Sequence, residues 1–377
     1  MLALAKNDLP WSPTLELHLD RCLDCRACEK VCPSYVSYGQ ALDSARALIE
    51  TSRASPTRSA SKAVTLLCWL AEGRRRTLTL AKILRLYQRF GLQRLLRASR
   101  VLQFLGISEI EANLPALPPQ KPMVEFYPAR KEPGGRVVLF TGCLTPLTEQ
   151  QTLTSAIRLL NRVGYDVQVP SHQGCCGALH LHSGQSEKAA ELMRRNIHAF
   201  DGGTEAVLCA ASGCTATLRE YEKYLDGIPS ARQFSNRIMD INQFLAGIAW
   251  PSDITFRPLA KRIVVQDPCT LTNVLRHEDK PYALVARIPG AEIIPLPENS
   301  LCCGAAGTYH LTQTDTARRL RAPKIAHLKR LAPDILVTSN PGCAMFLAAG
   351  IREAGLAMEV MHPVVLLEKQ LQVTSIK

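Results

Sequence analysis

Long hydrophobic runs are missing from this chain of 377 residues. No apolar stretch approaches the ~18 residues that predict a membrane-spanning helix, and the first ten residues lack the apolar core of a secretory signal. No G-x-G-x-x-G loop follows a predicted strand, so the sequence has no recognisable flavin or nicotinamide fingerprint. We therefore expect a cytoplasmic chain in a reducing compartment, where cysteines bind metals more often than they form disulfides.

Cysteine is abundant in a chain whose composition is otherwise ordinary. The chain has 14 cysteines, with 46% hydrophobic and 21% charged residues, and its length allows two or three globular domains. Cys68 and Cys209 are interpreted as small buried apolar residues. The remaining cysteines fall into three groups of four.

Two of these groups form an internal repeat. In each copy a single cysteine is followed by a Cys-Cys-Gly triplet and then by a Gly-Cys pair. The intervals are 32 and 38 residues in the first copy and 33 and 40 in the second. A duplicated unit is therefore predicted for the C-terminal two thirds of the chain. The repeated cysteines are Cys143, Cys175, Cys176 and Cys214, then Cys269, Cys302, Cys303 and Cys343.

The repeated cysteines follow short apolar runs that predict buried strands. The runs cover residues 137–140, 165–169 and 206–210 in the first copy, and 263–265, 291–295 and 335–337 in the second. Helical patterns separate them, one from Thr145 to Gly164 and one that Pro323 should kink or stop early. The alternation predicts an α/β fold with parallel strands, and ligands of such sheets bind at the carboxyl ends of the strands. Each copy should bring its four thiols together there.

The third group lies near the N-terminus. Cys22, Cys25, Cys28 and Cys32 precede Pro33 in the pattern C-x2-C-x2-C-x3-C-P, which is typical of a ferredoxin [4Fe-4S] cluster. A structural zinc site would more often show two separated C-x2-C pairs. In two-cluster ferredoxins the cysteine before proline binds the other cluster, so Cys22, Cys25 and Cys28 should hold three irons of one cluster.

Basic residues cluster between this run and the repeat. Helices are predicted over residues 63–105, and the stretch from Arg74 to Arg100 contains no Asp or Glu. It is either a solvated helix face or a docking surface for an acidic partner or an anionic membrane; nucleic acid is disfavoured because the aromatics have core spacing. The basic residues are Arg74, Arg75, Arg76, Lys82, Arg85, Arg89, Arg94, Arg97 and Arg100.

The predicted organisation has four parts. Residues 1–112 form a small helical, ferredoxin-like domain with an exposed linker at 51–62, and the proline-rich residues 113–135 form a second linker. Residues 136–255 and 256–377 form the first and second cysteine-rich domains.

Several stretches carry a family resemblance. HLDRCLDCRACEKVCP (18–33), QGCCGALHLH (173–182) and LCCGAAGTYHLT (301–312) resemble the iron–sulfur subunit of bacterial glycolate oxidase, whose tandem domains are related to heterodisulfide reductase subunits. The resemblance implies that all twelve grouped cysteines bind [4Fe-4S] clusters. It also implies that electrons come from a flavin-bearing partner subunit, which oxidises glycolate to glyoxylate, and pass toward a quinone or another acceptor. Neither flavin nor nicotinamide is expected on this chain, no nucleic-acid partner is expected, and peripheral contact with the inner membrane face is possible.

Two departures from that family leave alternatives open. The chain has one ferredoxin run where two are usual, and residues 1–9 resemble the end of the joining helix, so either a first run lies upstream or the protein is short. Ala211 and Asn340 replace the fifth thiolate of heterodisulfide reductases, which favours ordinary [4Fe-4S] clusters, or a cluster in one repeat only.

Other functions remain open from the sequence. They are a subunit for lactate or glycerol 3-phosphate oxidation, a heterodisulfide-reductase-like enzyme that acts on disulfides, and a zinc-stabilised basic binding protein. His172, His180, His182 and His310 lie near the motifs and are interpreted mainly as hydrogen-bonding loop residues.

Overall fold

The computed structural model describes residues 6, 12–51, 62–99, 101–104, 108–117, 121–130, 133–201, 203 and 205–372. Its N-terminal part is helical. Ser12 caps the first helix, because its side chain accepts a hydrogen bond from the Leu15 amide at 3.2 Å, and Pro13 occupies the first turn. The helices are α1 (Pro13–Asp20), α2 (Ala27–Lys30), α3 (Tyr38–Thr51), α4 (Lys62–Glu72), α5 (Arg74–Arg89), α6 (Leu92–Ala98), α7 (Val101–Phe104) and α8 (Ser108–Ala112).

The first repeat follows a two-residue strand, β1 (Phe126–Tyr127), and alternates strands with helices. Its elements are β2 (Gly135–Phe140), α9 (Thr145–Thr148), α10 (Gln150–Arg162), β3 (Tyr165–Gln168), α11 (Ala178–His182), α12 (Ser186–Ala199), β4 (Val207–Cys209), α13 (Ser212–Arg219), α14 (Tyr221–Tyr224), α15 (Pro229–Arg237), β5 (Ile238–Asp240) and α16 (Ile241–Gly247).

The second repeat has the same plan, with a π-helical turn after its first strand. Its elements are β6 (Arg262–Val265), π1 (Leu271–Leu275), α17 (Asp279–Val285), β7 (Glu292–Pro295), α18 (Tyr309–Thr312), α19 (Thr314–Leu331), β8 (Ile335–Val337), α20 (Pro341–Glu353), β9 (Glu359–Met361) and α21 (Pro363–Gln370).

The two sheets have corresponding strand orders, which confirms the predicted α/β architecture with parallel strands. The first is ordered β1-β3-β2-β4-β5 and the second β7-β6-β8-β9. All neighbouring strands are parallel except β1, which pairs antiparallel with β3. Since β3-β2-β4-β5 corresponds to β7-β6-β8-β9, the carboxyl ends of matched strands lie at equivalent places in the two repeats.

One apolar core joins the two repeats. Leu153 and Leu160 of α10 and Leu367 of α21 are fully buried in a cluster that also contains Val137 of β2 and Ile263 of β6. Burial of each such side chain contributes about 1.5–3 kcal/mol, so this shared core fixes the repeats against each other.

Two local expectations were wrong, and one feature of both sheets was not predicted. The helix predicted from Thr145 to Gly164 is interrupted at Glu149, whose backbone leaves the helical region (φ −137°, ψ 42°). Pro323 does not stop its helix early, because α19 continues to Leu331 with Ala317 and Leu328 fully buried on either side of the proline. Each sheet also has a fourth parallel strand, β5 and β9, that the apolar runs did not predict.

Parts of other predictions fall outside the described residues. These are most of the 51–62 linker, residues 118–120 and 131–132 of the proline-rich linker, nearly all of residues 1–9, and Arg100. Helices α4 to α7 cover most of the region where two or three helices were predicted. Among the described residues, no helix combines the length and the apolar character needed to cross a bilayer.

Candidate metal centre

Nine cysteines from three parts of the chain line one cavity of about 770 Å³. In each repeat the first cysteine follows the first strand, the Cys-Cys pair precedes a short helix, and the last cysteine lies in the first turn of a helix after the third strand. The ferredoxin run contributes Cys22 to the same wall. The repeat cysteines in the lining are Cys143, Cys175, Cys176, Cys214, Cys269, Cys302, Cys303 and Cys343.

In the first repeat the four thiols form two close pairs. The sulfurs of Cys143 and Cys175 are 3.6 Å apart, and those of Cys176 and Cys214 are 3.3 Å apart. A disulfide requires about 2.05 Å, and all four cysteines are free. The predicted convergence of this group at the strand ends is therefore present in the structure.

The second repeat repeats this arrangement at slightly longer range. The sulfurs of Cys269 and Cys302 are 3.9 Å apart, and Cys303 lies in side-chain contact with Cys343. All four are free thiols, and Cys302, Cys303 and Cys343 are buried. Each repeat thus offers one compact set of four sulfur donors.

The glycine of each triplet has a role that another residue would not fill without strain. Gly177 and Gly304 have φ values of +90° and +91°, a region that L-residues rarely adopt. Their amides donate to the sulfurs of Cys175 and Cys302, at 3.4 Å in both repeats. Because such hydrogen bonds stabilise a thiolate, both turns are suited to an anionic sulfur ligand.

Electrostatics shows why these thiol sets favour a metal. Contact with the Cys175 thiol and burial hold the pKa of Cys143 well above its usual range. Contacts with Cys176 and Cys209 likewise raise the pKa of Cys214, and contact with Cys302 raises the pKa of Cys269. Gathering thiolates here without cations is costly, whereas metal ions bind the deprotonated form. The donor set therefore fits an iron–sulfur cluster, and two helix N-termini, those of α13 and α20, add favourable dipoles for an anionic group.

Three of the four cysteines of the ferredoxin run influence one another electrostatically. Burial raises the pKa of Cys25 and of Cys28, and the neighbouring charge of Cys22 raises both further. The charge of Cys269 also acts on Cys25, which places this run beside the second repeat. The Cys32 thiol instead faces its own loop, where amides led by that of Val36 lower its pKa.

Both repeats hold the run in place. Arg26 makes a two-pronged contact with Glu220 of the first repeat at 3.1 and 3.0 Å, and its Nε pairs with Glu29 at 2.8 Å. On the other side, the Asn273 amide donates to the Cys25 carbonyl at 2.7 Å. These contacts hold the run against both repeats.

Two residues near the thiols had no role in the sequence reading. Asn340, noted there only as a missing thiolate, donates to the Cys343 sulfur at 3.4 Å. Glu72 of α4 lies 3.2 Å from Nε2 of His180, whose ring in turn lies against Cys175. Glu72 and His180 are 108 positions apart, whereas Asn340 lies close to Cys343 in sequence. Only the Cys-Cys-Gly-x-x-His spacing gave a signal for His180.

The remaining histidines and cysteines have distinct surroundings. Nδ1 of His182 lies 3.1 Å from carboxylate oxygens of both Asp24 and Asp43. His310 is buried enough to lower its pKa to about 4, and its ring lies 5.6 Å from that of Phe346. Cys68 and Cys209 are buried, as expected, but they lie beside Cys175 and Cys214 respectively and not in a remote core. The backbone carbonyl of His172 accepts a hydrogen bond from Nε of Arg195 at 3.1 Å.

Comparison with known proteins gives the same reading of the repeats. Residues 137–219 and 263–348 match the cysteine-rich domain family CCG. The chain is 33% identical over 370 residues to a probable glycolate oxidase iron–sulfur subunit of Bacillus subtilis (strain 168), which covers 96% of this chain and 83% of the relative. It is 32% identical over 373 residues to the glycolate oxidase iron–sulfur subunit of Escherichia coli (strain K12), covering 94% and 82%.

A more distant relative matches a smaller part of the chain. Lactate utilization protein A of Geobacillus thermodenitrificans (strain NG80-2) is 28% identical over 231 residues, 60% of this chain and 96% of the relative. The relatives that match nearly the whole chain show which family it belongs to. The chain belongs to the family of the glycolate oxidase iron–sulfur subunits, and it carries the cysteine-rich domain twice.

Proposed function

We propose that the chain carries electrons in a glycolate-oxidising complex. Glycolate would be oxidised to glyoxylate at a flavin held by a partner subunit, which would supply two electrons and release the proton, and the cysteines of this chain would hold the clusters that accept those electrons one at a time. The observation that carries this proposal is the common cavity, since Cys22 of the ferredoxin run and eight repeat cysteines line one space. The electrons end on a quinone or another acceptor outside this chain.

The residues of this chain hold and tune the electron carriers. Bound iron–sulfur clusters supply one-electron acceptance and release, at potentials set by hydrogen bonds and burial. The amides of Gly177 and Gly304 stabilise one sulfur ligand in each repeat. The contact between Arg26 and Glu220 keeps the ferredoxin run on the cavity.

The test is anaerobic purification of the chain with its co-encoded flavoprotein, followed by EPR after addition of one substrate at a time. Glycolate, each lactate enantiomer and glycerol 3-phosphate are compared. We expect glycolate to reduce the clusters of this chain fastest. A Cys68→Ser variant is the matched control, because Cys68 is a buried thiol that lies beside Cys175 but belongs to none of the three groups, so its loss should leave the iron content unchanged.

Two outcomes would contradict the proposal. A colourless protein that contains zinc and no iron would favour the zinc-stabilised binding protein. Reduction by dithiol substrates without any flavoprotein would favour the heterodisulfide-reductase-like enzyme.

Lactate oxidation is the second candidate, because the chain shares 28% identity with a protein named for lactate utilisation. That match covers 60% of this chain, whereas the relatives named for glycolate oxidase cover 96% and 94%. Glycolate therefore ranks first. Cluster reduction by lactate and not by glycolate would reverse this order.

We further propose that the α5–α6 surface contacts an anionic membrane face. Its apolar side chains are exposed, 78% in Phe90 and 64% in Leu95, and exposed basic side chains alternate with them along the same segment. Basic helices with an apolar face lie in the membrane interface. We define the surface as Ile83, Leu86, Phe90 and Leu95 with Arg75, Lys82, Arg89 and Arg94.

Sedimentation with vesicles tests this contact. The full chain should bind phosphatidylglycerol vesicles more than phosphatidylcholine vesicles, and added salt should weaken the binding. Phe90→Glu should reduce it by roughly tenfold or more, since burial of a Phe side chain contributes about 1.5–3 kcal/mol. Leu301→Glu is the control, because Leu301 is 54% exposed on the second repeat. Equal effects of the two variants would remove the proposal.

A further inference from the structure

Asn340 lies between the two sets of thiols. It precedes α20, and its backbone lies in the extended region (φ −136°, ψ 121°). Its side-chain oxygen accepts a hydrogen bond from the Gly213 amide of the first repeat at 3.3 Å. Its side-chain nitrogen donates to the Cys343 sulfur of the second repeat at 3.4 Å. One side chain thus touches the last Gly-Cys step of both repeats.

The contact with Gly213 fixes the orientation of the Asn340 amide group. Since a backbone N–H can only donate, it requires the amide oxygen on its side and leaves the NH2 group facing Cys343. Asparagine at this helix position usually accepts from the first turn of its own helix, but Asn340 makes no such capping bond. Its side chain is instead committed to the neighbouring loops.

The backbone around Asn340 leaves room for this bridge. A Cβ atom at Gly213 would lie 3.2 Å from the Asn340 oxygen, and one at Gly342 would lie 3.3 Å from its nitrogen. Both distances are tighter than most Cβ contacts, so glycine on either side lets the amide fit. A further bond, from the Ser212 amide to the Ser339 carbonyl at 3.1 Å, joins the same two loops.

The bridge distinguishes the second repeat from the first. Counted back from the last cysteine, the position of Asn340 is occupied in the first repeat by Ala211, which has no donor. In each repeat a glycine amide donates to a cysteine sulfur at 3.4 Å. These two hydrogen bonds therefore contribute equally to the reduction potentials of the two clusters and do not distinguish them. Among the described residues, Cys214 instead has side-chain contacts with the thiols of Cys176 and Cys209, which are weaker donors than an amide N–H.

We propose that Asn340 is a positioning residue that raises the reduction potential of the second-repeat cluster. This inference rests on the proposed function, in which each repeat binds a cluster. Reduction adds negative charge, which spreads onto the sulfur ligands, and a hydrogen bond to a ligand sulfur stabilises it. The first-repeat cluster lacks this contribution.

Redox titration followed by EPR tests the assignment on the anaerobically prepared full chain. Cys214→Ser and Cys343→Ser first identify which signal belongs to which repeat. Asn340→Asp keeps the oxygen that accepts from Gly213 but removes the donor, and Asn340→Ala reproduces the residue of the first repeat. In both variants the equilibrium constant for reduction of the second-repeat cluster should fall about tenfold, which lowers its reduction potential by ~59 mV for one electron. The reduction potential of the first-repeat cluster should stay within error.

The outcomes separate this inference from the proposed function. Unchanged potentials in both Asn340 variants, with wild-type iron content, would overturn the role of Asn340 and leave the electron-transfer function standing. Equal shifts of both clusters would also overturn it, because they would indicate a general structural effect. Iron that is unaffected by Cys343→Ser would overturn the second-repeat cluster and this inference together.

Discussion

The first and second repeats hold four thiols in matched positions, yet different neighbours surround those thiols. The same strand order carries both sets, and the same glycine turn, with φ near +90°, donates to one sulfur in each. Even the support of the Cys-Cys loop is matched. Gln173 links its loop to the Leu139 carbonyl and the Thr141 amide, and Asn299 links its loop to the Val265 carbonyl and the Asp267 amide.

The differences lie around this common frame. His180 and Glu72 lie beside the thiols of the first repeat, whereas Gly307 occupies the position of His180 in the second. Asn340 lies beside the thiols of the second repeat, where the first has Ala211. The comparison suggests that duplicated contacts hold the sulfur ligands and that unmatched contacts make the two sites chemically different.

Loss of one thiol in each repeat should have the largest effect. Cys176→Ser and Cys303→Ser each remove a buried sulfur donor, so each variant should lose about four iron ions per chain from its own repeat and keep the other cluster. Iron and sulfide analysis with EPR on the anaerobic full chain measures this. Loss of all iron from either variant would indicate that the two sites do not bind independently.

The ferredoxin run offers a sharper comparison, because its arginine pairs with a glutamate of the first repeat and its lysine with a glutamate of the second. Arg26 and Glu220 are nearly buried, with side chains 8% and 11% exposed, whereas Lys30 and Glu278 of the second repeat are 36% and 37% exposed. Breaking a buried pair costs about 3–5 kcal/mol, and an exposed pair contributes about 0–1 kcal/mol. Arg26→Gln should therefore lower the free energy of unfolding far more than Lys30→Gln.

Urea unfolding followed by circular dichroism measures both variants. The iron of the ferredoxin run should become labile in Arg26→Gln only, because only that variant loosens its loop. Similar unfolding midpoints for the two variants would mean that the buried pair does not hold the run.

The two triplet glycines should tolerate alanine unequally. Both need positive φ, which costs an L-residue roughly 1–2 kcal/mol. A Cβ at Gly304 would also lie 2.7 Å from the Ala317 carbonyl oxygen, whereas at Gly177 the nearest atom, the Ala189 oxygen, is 3.4 Å away. Gly304→Ala should thus be less stable than Gly177→Ala by about 1–3 kcal/mol, the usual cost of overpacking. Equal losses in urea unfolding would contradict this difference.

Much of this architecture could be predicted from local pattern. Apolar runs locate the central strands, and the spacing of the cysteines places them at the strand ends, because both signals lie within short segments. The fourth strands escaped prediction because β5 (Ile238–Asp240) and β9 (Glu359–Met361) each contain an acidic residue and therefore form no continuous apolar run. Pro323 was overestimated as a helix breaker, since packing of α19 outweighs its local cost.

The site was only partly predictable for a related reason. The sulfur donors could be found from spacing, but the residues that differentiate them act across long separations. Arg26 and Glu220 are 194 positions apart, and Gly213 and Asn340 are 127 apart. No local pattern encodes such contacts, because they exist only once the two repeats and the ferredoxin run pack together.

The smallest expected effect is a difference in the pH dependence of stability between two buried helix caps. Asp240 accepts from the Asn242 amide at the start of α16, and His362 accepts through Nδ1 from the Val364 amide at the matched start of α21. Burial raises the pKa of Asp240 to about 6 and lowers the pKa of His362 to about 3. One repeat therefore uses a buried acid where the other uses a buried base.

These caps should give opposite pH dependences of stability. Between pH 4.5 and 5.5 Asp240 gains a proton on folding, because its pKa is raised to about 6. Its contribution to the free energy of unfolding is therefore present at low pH and is lost as pH rises through about 6. In the same range the unfolded chain holds a proton at His362 that the folded chain lacks, so that contribution is lost as pH falls. In the wild type the two slopes, each up to about 1.4 kcal/mol per pH unit, largely cancel.

Single variants expose the two slopes. Relative to wild type, His362→Asn should lose stability as pH rises from 4.5 to 5.5, and Asp240→Asn should gain stability over the same range. Asparagine retains a capping oxygen in both cases, and the double variant should restore the wild-type slope. Urea unfolding at several pH values measures each slope. Slopes of the same sign in the two single variants would contradict the assignment, because the caps would then not carry opposite charges when ionised.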